Sequence, residues 1–224
     1  MKLDLYLDEN LDFYFDFKRK VNYNFNKIRN LFFDLLERFG RQEWWPTYYT
    51  NGINEKIEIL IGTVLTQNTS WKQVEKSLSN LAKYNLVNLN LLEKIKKEKE
   101  LVLELIRPSG FAKRKIETLK DVLIWFKNNV NREKNIRELR KELLSIKGVG
   151  KETADSIILY VFNKPIFVID KYTKDFFFKK FGEKIKNYDL LRLIFESAFL
   201  DEDNKTWVFK EYHALIVEYG KREK

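Results

Sequence analysis

The 224-residue chain is 44 % apolar and 15 % aromatic, contains no cysteine, and sets 42 Lys and Arg against 33 Asp and Glu for a net charge of +9. Without cysteine it can form no disulfide, no Cys-ligated zinc site and no Cys-held iron–sulfur cluster. With eight glycines and three prolines it lacks the composition of a long disordered chain. The positive balance attracts polyanions such as nucleic acid or an acidic membrane, although a Lys-rich surface also serves solubility.

The opening "MKLDLYLDENLDFYFDFKRK" mixes acidic residues into its apolar stretch, unlike a secretory signal, and no later apolar run approaches membrane-spanning length. A soluble, intracellular protein without a membrane partner is expected. Residues 1–25, biased toward Asp, Asn, Phe and Tyr, read as an N-terminal extension that forms a strand or a loosely docked segment. From about Asn26 the spacing becomes helical, with Ile28, Leu31, Phe32 and Leu35 on one face and Gly40 as the stop.

After the loop "RQEWWPTYYTNG", residues Ile57, Leu60, Ile61, Val64 and Leu65 repeat at helical spacing behind Asn54, a candidate cap. The break "TQNTS" leads to a helix with Trp71, Val74, Leu78 and Leu81 on one face. Further helical patterns cover about 97–106, 111–129, 134–146, 151–163, 172–181, 187–199 and 206–220. No βαβ alternation or internal repeat is present, so an all-α fold of roughly ten helices is expected. "RPSG" and "NKP" mark the clearest breaks, and no composition shift places a domain boundary within residues 26–224.

Between two of these helices stands "KGVGK", residues 147–151. Its glycines allow a tight turn with positive backbone angles and a bare backbone surface. Successive amides there, at the start of a helix, suit an anion such as a DNA phosphate, and Lys147 and Lys151 add charge. A plain glycine turn between packed helices fits the same residues. Twenty residues after Gly150, Asp170 closes the apolar run "PIFVID" where the helix pattern "KYTKDFFFKKFG" begins. As an N-cap it needs no further chemistry, yet a carboxylate fixed at a helix start is also oriented and easily kept ionised.

Hairpin, helix and aspartate in this order, within "LLSIKGVGKETADSIILYVFNKPIFVIDKYT", resemble the helix-hairpin-helix DNA glycosylases of the endonuclease III superfamily. "WWP", "IGTVLTQNTSWKQVEKSL", "RPSGFAKRK" and "VIDKYT" are most similar to the 3-methyladenine DNA glycosylase III type, and the resemblance spans most of residues 40–220. It implies a two-lobed helical bundle with an interlobe active-site cleft and, as partner, double-stranded DNA carrying a damaged base. It further implies a monomer in the cytoplasm, associated with the nucleoid. Asp170 becomes the catalytic carboxylate. Lys147, Gly148, Val149, Gly150 and Lys151 become a phosphate grip, in which relatives often hold a monovalent cation on the backbone at positions matching Gly148 and Gly150. Gln67 matches a residue that fills the gap left by a flipped nucleotide, and Phe111 one that wedges the opposite strand; a local turn hydrogen bond of Gln67 and core or lobe packing of Phe111 fit the same residues equally. Members that also cut DNA carry a lysine where this chain has Glu152, so base removal without strand cutting is implied, with strand cutting through nearby Lys151 or Lys171 as the alternative. No side-chain metal site and no cofactor are implied, and the missing iron–sulfur cysteines fit the alkyl-base branch. Enzymes for oxidised or mismatched bases form the competing branch, and a non-catalytic DNA-binding module would keep the hairpin alone.

The chemistry suits these residue types. A base inside a duplex must be flipped out before it can be cut. Loss of the base then develops positive charge on the sugar, which an ionised Asp170 stabilises. At about 4 Å and an effective dielectric near 20 the attraction is about 4 kcal/mol, roughly a thousandfold in rate. Alkylated purines are cationic, and aromatic faces bind them by stacking and cation–π attraction. Trp44, Trp45 and Trp71 are the candidates for that pocket, with Pro46 shaping its wall; Trp71 equally continues the apolar face of its helix. Lys113, Arg114 and Lys115 read either as phosphate contacts or as a solvated helix face. Lone His213 reads as a core or surface histidine without a catalytic part.

Overall fold

The computed structural model describes residues 23–223, so the extension proposed for residues 1–25 lies almost wholly outside the described residues. Among the described residues there are helices and no strands, as the periodicities predict. The chain divides into two compact units: residues to Trp45 together with Phe162 onward form one, and Pro46–Val161 form the other.

The first unit contains α1 (Phe25–Phe39), α9 (Lys171–Phe181), α10 (Tyr188–Ser197) and α11 (Lys205–Arg222). Helix α11 packs on α1 and α9, and α10 packs on α1. Their core is aromatic. Tyr212 of α11 is fully buried and meets Phe32, Phe167, Phe176, Phe195 and Phe199 at ring distances of 5.4–6.3 Å. Its hydroxyl donates to the carbonyl of Ile28 at 2.9 Å, which satisfies the one polar atom of an otherwise apolar side chain. Burial, with a smaller effect from Asp34, raises that phenol well above its ordinary value.

The run Ile166–Ile169 is neither helix nor strand, yet each of its side chains is at most 1 % exposed. Buried backbone outside a ladder needs other partners. The Phe167 amide donates to the carboxylate of Glu196 at 2.9 Å, and the Ile169 amide to the Tyr188 hydroxyl at 3.3 Å. Glu196 in turn faces buried Arg192 at 3.1 Å. Helix α10 thereby fixes the extended segment that delivers Asp170.

The second unit holds α2 (Ile53–Leu65), α3 (Trp71–Lys83), α4 (Asn90–Lys97), α5 (Lys99–Ile106), α6 (Ala112–Asn129), α7 (Ile136–Ser145) and α8 (Lys151–Ser156), the last continuing as a π-helical turn over Ile157–Val161. Helix α2 is buried from Ile57 to its end and packs on α3, α6 and α8. Its start differs from expectation. Gly52 is the cap and Asn54 lies one position inside the helix, so Asn54 does not cap it. Helix α4 also escapes the periodicity. It is eight residues long and buries only Leu91, Leu92 and Ile95 among charged neighbours. The chain breaks at Glu98 (φ −139°) before α5 resumes.

Candidate nucleic-acid interface and active site

The turn between α7 and α8 is closed by the Val149 amide donating to the Ile146 carbonyl at 3.1 Å. The two glycines prove different. Gly148 has φ +90°, and a Cβ there would lie 2.2 Å from the Thr118 hydroxyl, so both backbone and space demand glycine. Gly150 is extended (φ −94°) and a Cβ would meet nothing within 4 Å, so only Gly148 shows the positive angle expected of both. Lys147, Gly148, Gly150 and Lys151 are exposed, whereas Val149 is buried. Glu152 is exposed in the first turn of α8. Beneath the turn, the guanidinium of Arg140 on α7 pairs with Asp155 of α8 through bonds of 2.7 and 3.2 Å, both groups buried.

Gln67 reaches this turn from the loop after α2. Its side-chain amide donates to the Gly148 carbonyl at 2.9 Å and to the Thr153 hydroxyl at 3.0 Å, linking positions 81 and 86 residues apart. The same loop is tied to "RPSGF" by Lys115. That side chain is fully buried, which overturns both readings offered for it. Its ammonium donates to the carbonyls of Leu65 at 2.7 Å and Ser109 at 2.6 Å, and to the Thr69 hydroxyl at 3.3 Å. Burial, helped by neighbouring Arg114, pulls it down to about 8. Just beyond Ser109, Phe111 caps α6 in the left-handed region (φ 50°, ψ 31°) and is 63 % exposed, with the Arg114 guanidinium 5.6 Å from its ring centre. An exposed aromatic ring on a backbone that a non-glycine residue adopts at a cost of about 1–2 kcal/mol is not explained by packing.

In the other unit Asp170 caps α9. Its Oδ1 accepts from the Thr173 amide at 2.7 Å and the Thr173 hydroxyl at 2.9 Å, while Oδ2 lies 3.6 Å from Nε2 of His213 on α11. The carboxylate is 15 % exposed. Burial pushes its pKa up, but His213 and the two Thr173 contacts outweigh this and hold it below the usual aspartate value. His213 also meets Trp44 edge to face (5.8 Å, 84°), and Trp44 meets Trp45 at 6.3 Å. The Lys221 ammonium lies 5.6 Å from the Trp44 ring centre. The turn before the indoles is held by buried Glu211 of α11, whose carboxylate accepts the amides of Gln42 and Glu43 at 2.8 and 2.7 Å. Pro46 and Trp71 belong to the other unit. There Trp71 opens α3, half-buried, with its indole N–H donating to Glu75 at 2.8 Å.

Residues 61–186 match the model of the HhH-GPD superfamily base excision DNA repair proteins. A putative DNA repair glycosylase of Methanocaldococcus jannaschii is 41 % identical over 207 residues, which cover 88 % of this chain and 89 % of that protein. The chain belongs to the HhH-GPD superfamily. It is a DNA glycosylase of base excision repair. The crystal structure of an H. pylori 3-methyladenine DNA glycosylase bound to 1,N6-ethenoadenine is similar over 89 % of this chain and 96 % of that one, at 32 % identity and a TM-score of 0.69. An endonuclease III trapped as a covalent intermediate with DNA shares the fold at 20 % identity, with a TM-score of 0.60 over 87 % of this chain and 85 % of that one.

The matched stretch of this glycosylase includes Gln67, Trp71, Phe111, the 147–151 turn and Asp170, and leaves Trp44, Trp45, Pro46 and His213 outside it. Among the described residues no group of His, Asp or Glu side chains is arranged to hold a metal ion, and no helix is long and apolar enough to cross a membrane. His213 is buried, within the core-or-surface reading given for it, but its position beside Asp170 was not expected. It stands 43 positions from Asp170, so no local spacing pattern connects the two. The glycine geometry predicts contrasting effects on folding. Gly148→Ala should destabilise the glycosylase by about 2 kcal/mol or more in urea unfolding, from strain and the Thr118 clash. Gly150→Ala should unfold within about 0.5 kcal/mol of the parent.

Proposed function

We propose that this glycosylase is monofunctional and hydrolyses the N-glycosidic bond of alkylated purines such as 3-methyladenine in double-stranded DNA. Asp170 carries the reading. One of its oxygens is spent on the helix cap, its charge is favoured, and the other oxygen lies beside His213 instead of in a second capping bond. An ionised, oriented carboxylate is the group that stabilises an oxocarbenium-like sugar and aligns a water against it. The likeness to an H. pylori 3-methyladenine DNA glycosylase supports the alkyl-base branch. The paired indoles Trp44 and Trp45 supply stacking surface, Gln67 and Phe111 would hold the opened duplex, and the exposed backbone at Gly148 and Gly150 would receive a phosphate and, where bound, a monovalent cation.

The absence of strand cutting rests on Glu152, which occupies the hairpin position of the lyase lysine. A carboxylate cannot form a Schiff base with the sugar. Among the described residues, the lysine whose pKa falls to about 8, Lys115, is fully buried behind three acceptors and offers no accessible nucleophile.

Base release from duplexes carrying alkylated, oxidised and mismatched bases tests the substrate class, with 3-methyladenine expected among the fastest released. Asparagine caps helices about as well as aspartate. Asp170→Asn should therefore keep the parent's melting temperature while single-turnover release falls about 100- to 1,000-fold; full activity would remove Asp170 from the mechanism. Borohydride should trap no covalent product with DNA, and efficient trapping would contradict the Glu152 argument. Gly150→Ala, folded like the parent, should bind DNA several-fold more weakly and with a shallower salt dependence; unchanged binding would exclude the phosphate grip.

A further inference from the structure

We propose that His213 is a positioning residue for glycosidic cleavage, holding the Oδ2 oxygen of Asp170 and the indole of Trp44 in one arrangement through a single side chain. This rests on the reading of Asp170 as the catalytic carboxylate. Thr173 takes Oδ1 through two bonds, so the carboxylate plane is set by the α9 cap and Oδ2 is the oxygen left for chemistry. His213 is the polar neighbour of that oxygen, 3.6 Å away. This makes the imidazole a direct neighbour of the oxygen, at a distance too long for an ordinary hydrogen bond, so the oxygen is flanked without being capped. The imidazole also meets Trp44, nearly perpendicular at 5.8 Å.

The imidazole is itself held. It is 5 % exposed on α11, a helix that packs directly on α9, and Glu211 two residues earlier fixes the turn that delivers Trp44. Two lysines neighbour these side chains, and Lys171 interacts electrostatically with Asp170. Lys221 lies over the Trp44 ring, and Lys171 next to Asp170 pairs outward with Asp175 at 3.0 Å. A displaced His213 would therefore move the carboxylate and the aromatic wall together. Misplacement of reacting groups by about 1 Å can cost on the order of a hundredfold in rate.

The test compares the parent with His213→Leu, which keeps volume without a polar nitrogen, and His213→Gln, which returns an N–H toward Oδ2. Release of 3-methyladenine from dimethyl-sulfate-treated duplex DNA is followed under single turnover, beside DNA affinity and the ¹³C titration of the Asp170 carboxyl. In His213→Leu we expect release about 10- to 100-fold slower with DNA affinity within about twofold. The Asp170 titration should move upward as a favourable neighbour is lost. His213→Gln should recover most of the rate. Parent-like release and an unmoved Asp170 titration in His213→Leu would overturn the proposal, as would equal loss in both variants. Should His213→Leu fail to fold, the Gln variant decides: a rate as slow as that of Asp170→Asn overturns the proposal, and near-parental release supports it. Full activity of Asp170→Asn would instead sink the underlying reading of Asp170, while the carboxyl titration would still report whether His213 holds that group.

Discussion

The loops that carry Trp44, Gln67 and Phe111 and the run that ends at Asp170 are irregular backbone, and buried irregular backbone must find hydrogen-bond partners outside a helix or sheet. This chain meets that constraint with buried charges. Glu211 takes the amides of Gln42 and Glu43 ahead of Trp44, and Glu58 takes those of Tyr48 and Tyr49 at 2.8 and 3.1 Å beyond Pro46. Glu196 takes the Phe167 amide in the run to Asp170. Lys115 takes the carbonyls of Leu65 and Ser109, beside the loops of Gln67 and Phe111. A charge inside a protein is expensive unless hydrogen-bonded, and hydrogen bonds to charged groups are worth about 1.5–3 kcal/mol each. Each of these side chains is therefore committed to one backbone geometry, and the neighbouring loop inherits that rigidity.

The helices show what periodicity can reveal. Helix α2 was legible because Ile57, Leu60, Ile61, Val64 and Leu65 fall on one stripe, and all are at most 1 % exposed. Helix α4 was not, since three apolar residues among lysines and glutamates give too short a stripe. The order of hairpin, helix and aspartate was legible because those parts are neighbours in sequence. The buried charges were not, because Glu211 and Lys115 look like surface residues of amphipathic helices until their long-range backbone partners are known. His213 reads as a core or surface histidine and is buried, but its place beside Asp170 and Trp44 was not legible, because each lies far away along the chain.

Gly150 shows the opposite case, where the structure sharpens a sequence reading by removing its ordinary explanation. Gly148 is required by its φ of +90° and by Thr118, and nothing beyond folding is needed to account for it. No such requirement exists at Gly150, which any residue could occupy by angle and space. The proposed phosphate grip offers a reason for it, since a bare backbone allows close approach from outside.

Amine chemistry depends on two conditions that this chain separates. A lysine nucleophile needs a depressed pKa, usually from burial, and it also needs access to the sugar. Lys115 meets the first and fails the second, because the burial that lowers it also encloses it among the carbonyls of Leu65 and Ser109. Its three acceptors favour an ammonium with three donors over a free amine, so the geometry works against the neutral form that attack requires. Lys147 and Lys151, by contrast, are exposed in the hairpin. Glu152 follows Lys151 in the first turn of α8, and the proposed hydrolytic mechanism follows from that division as much as from Asp170.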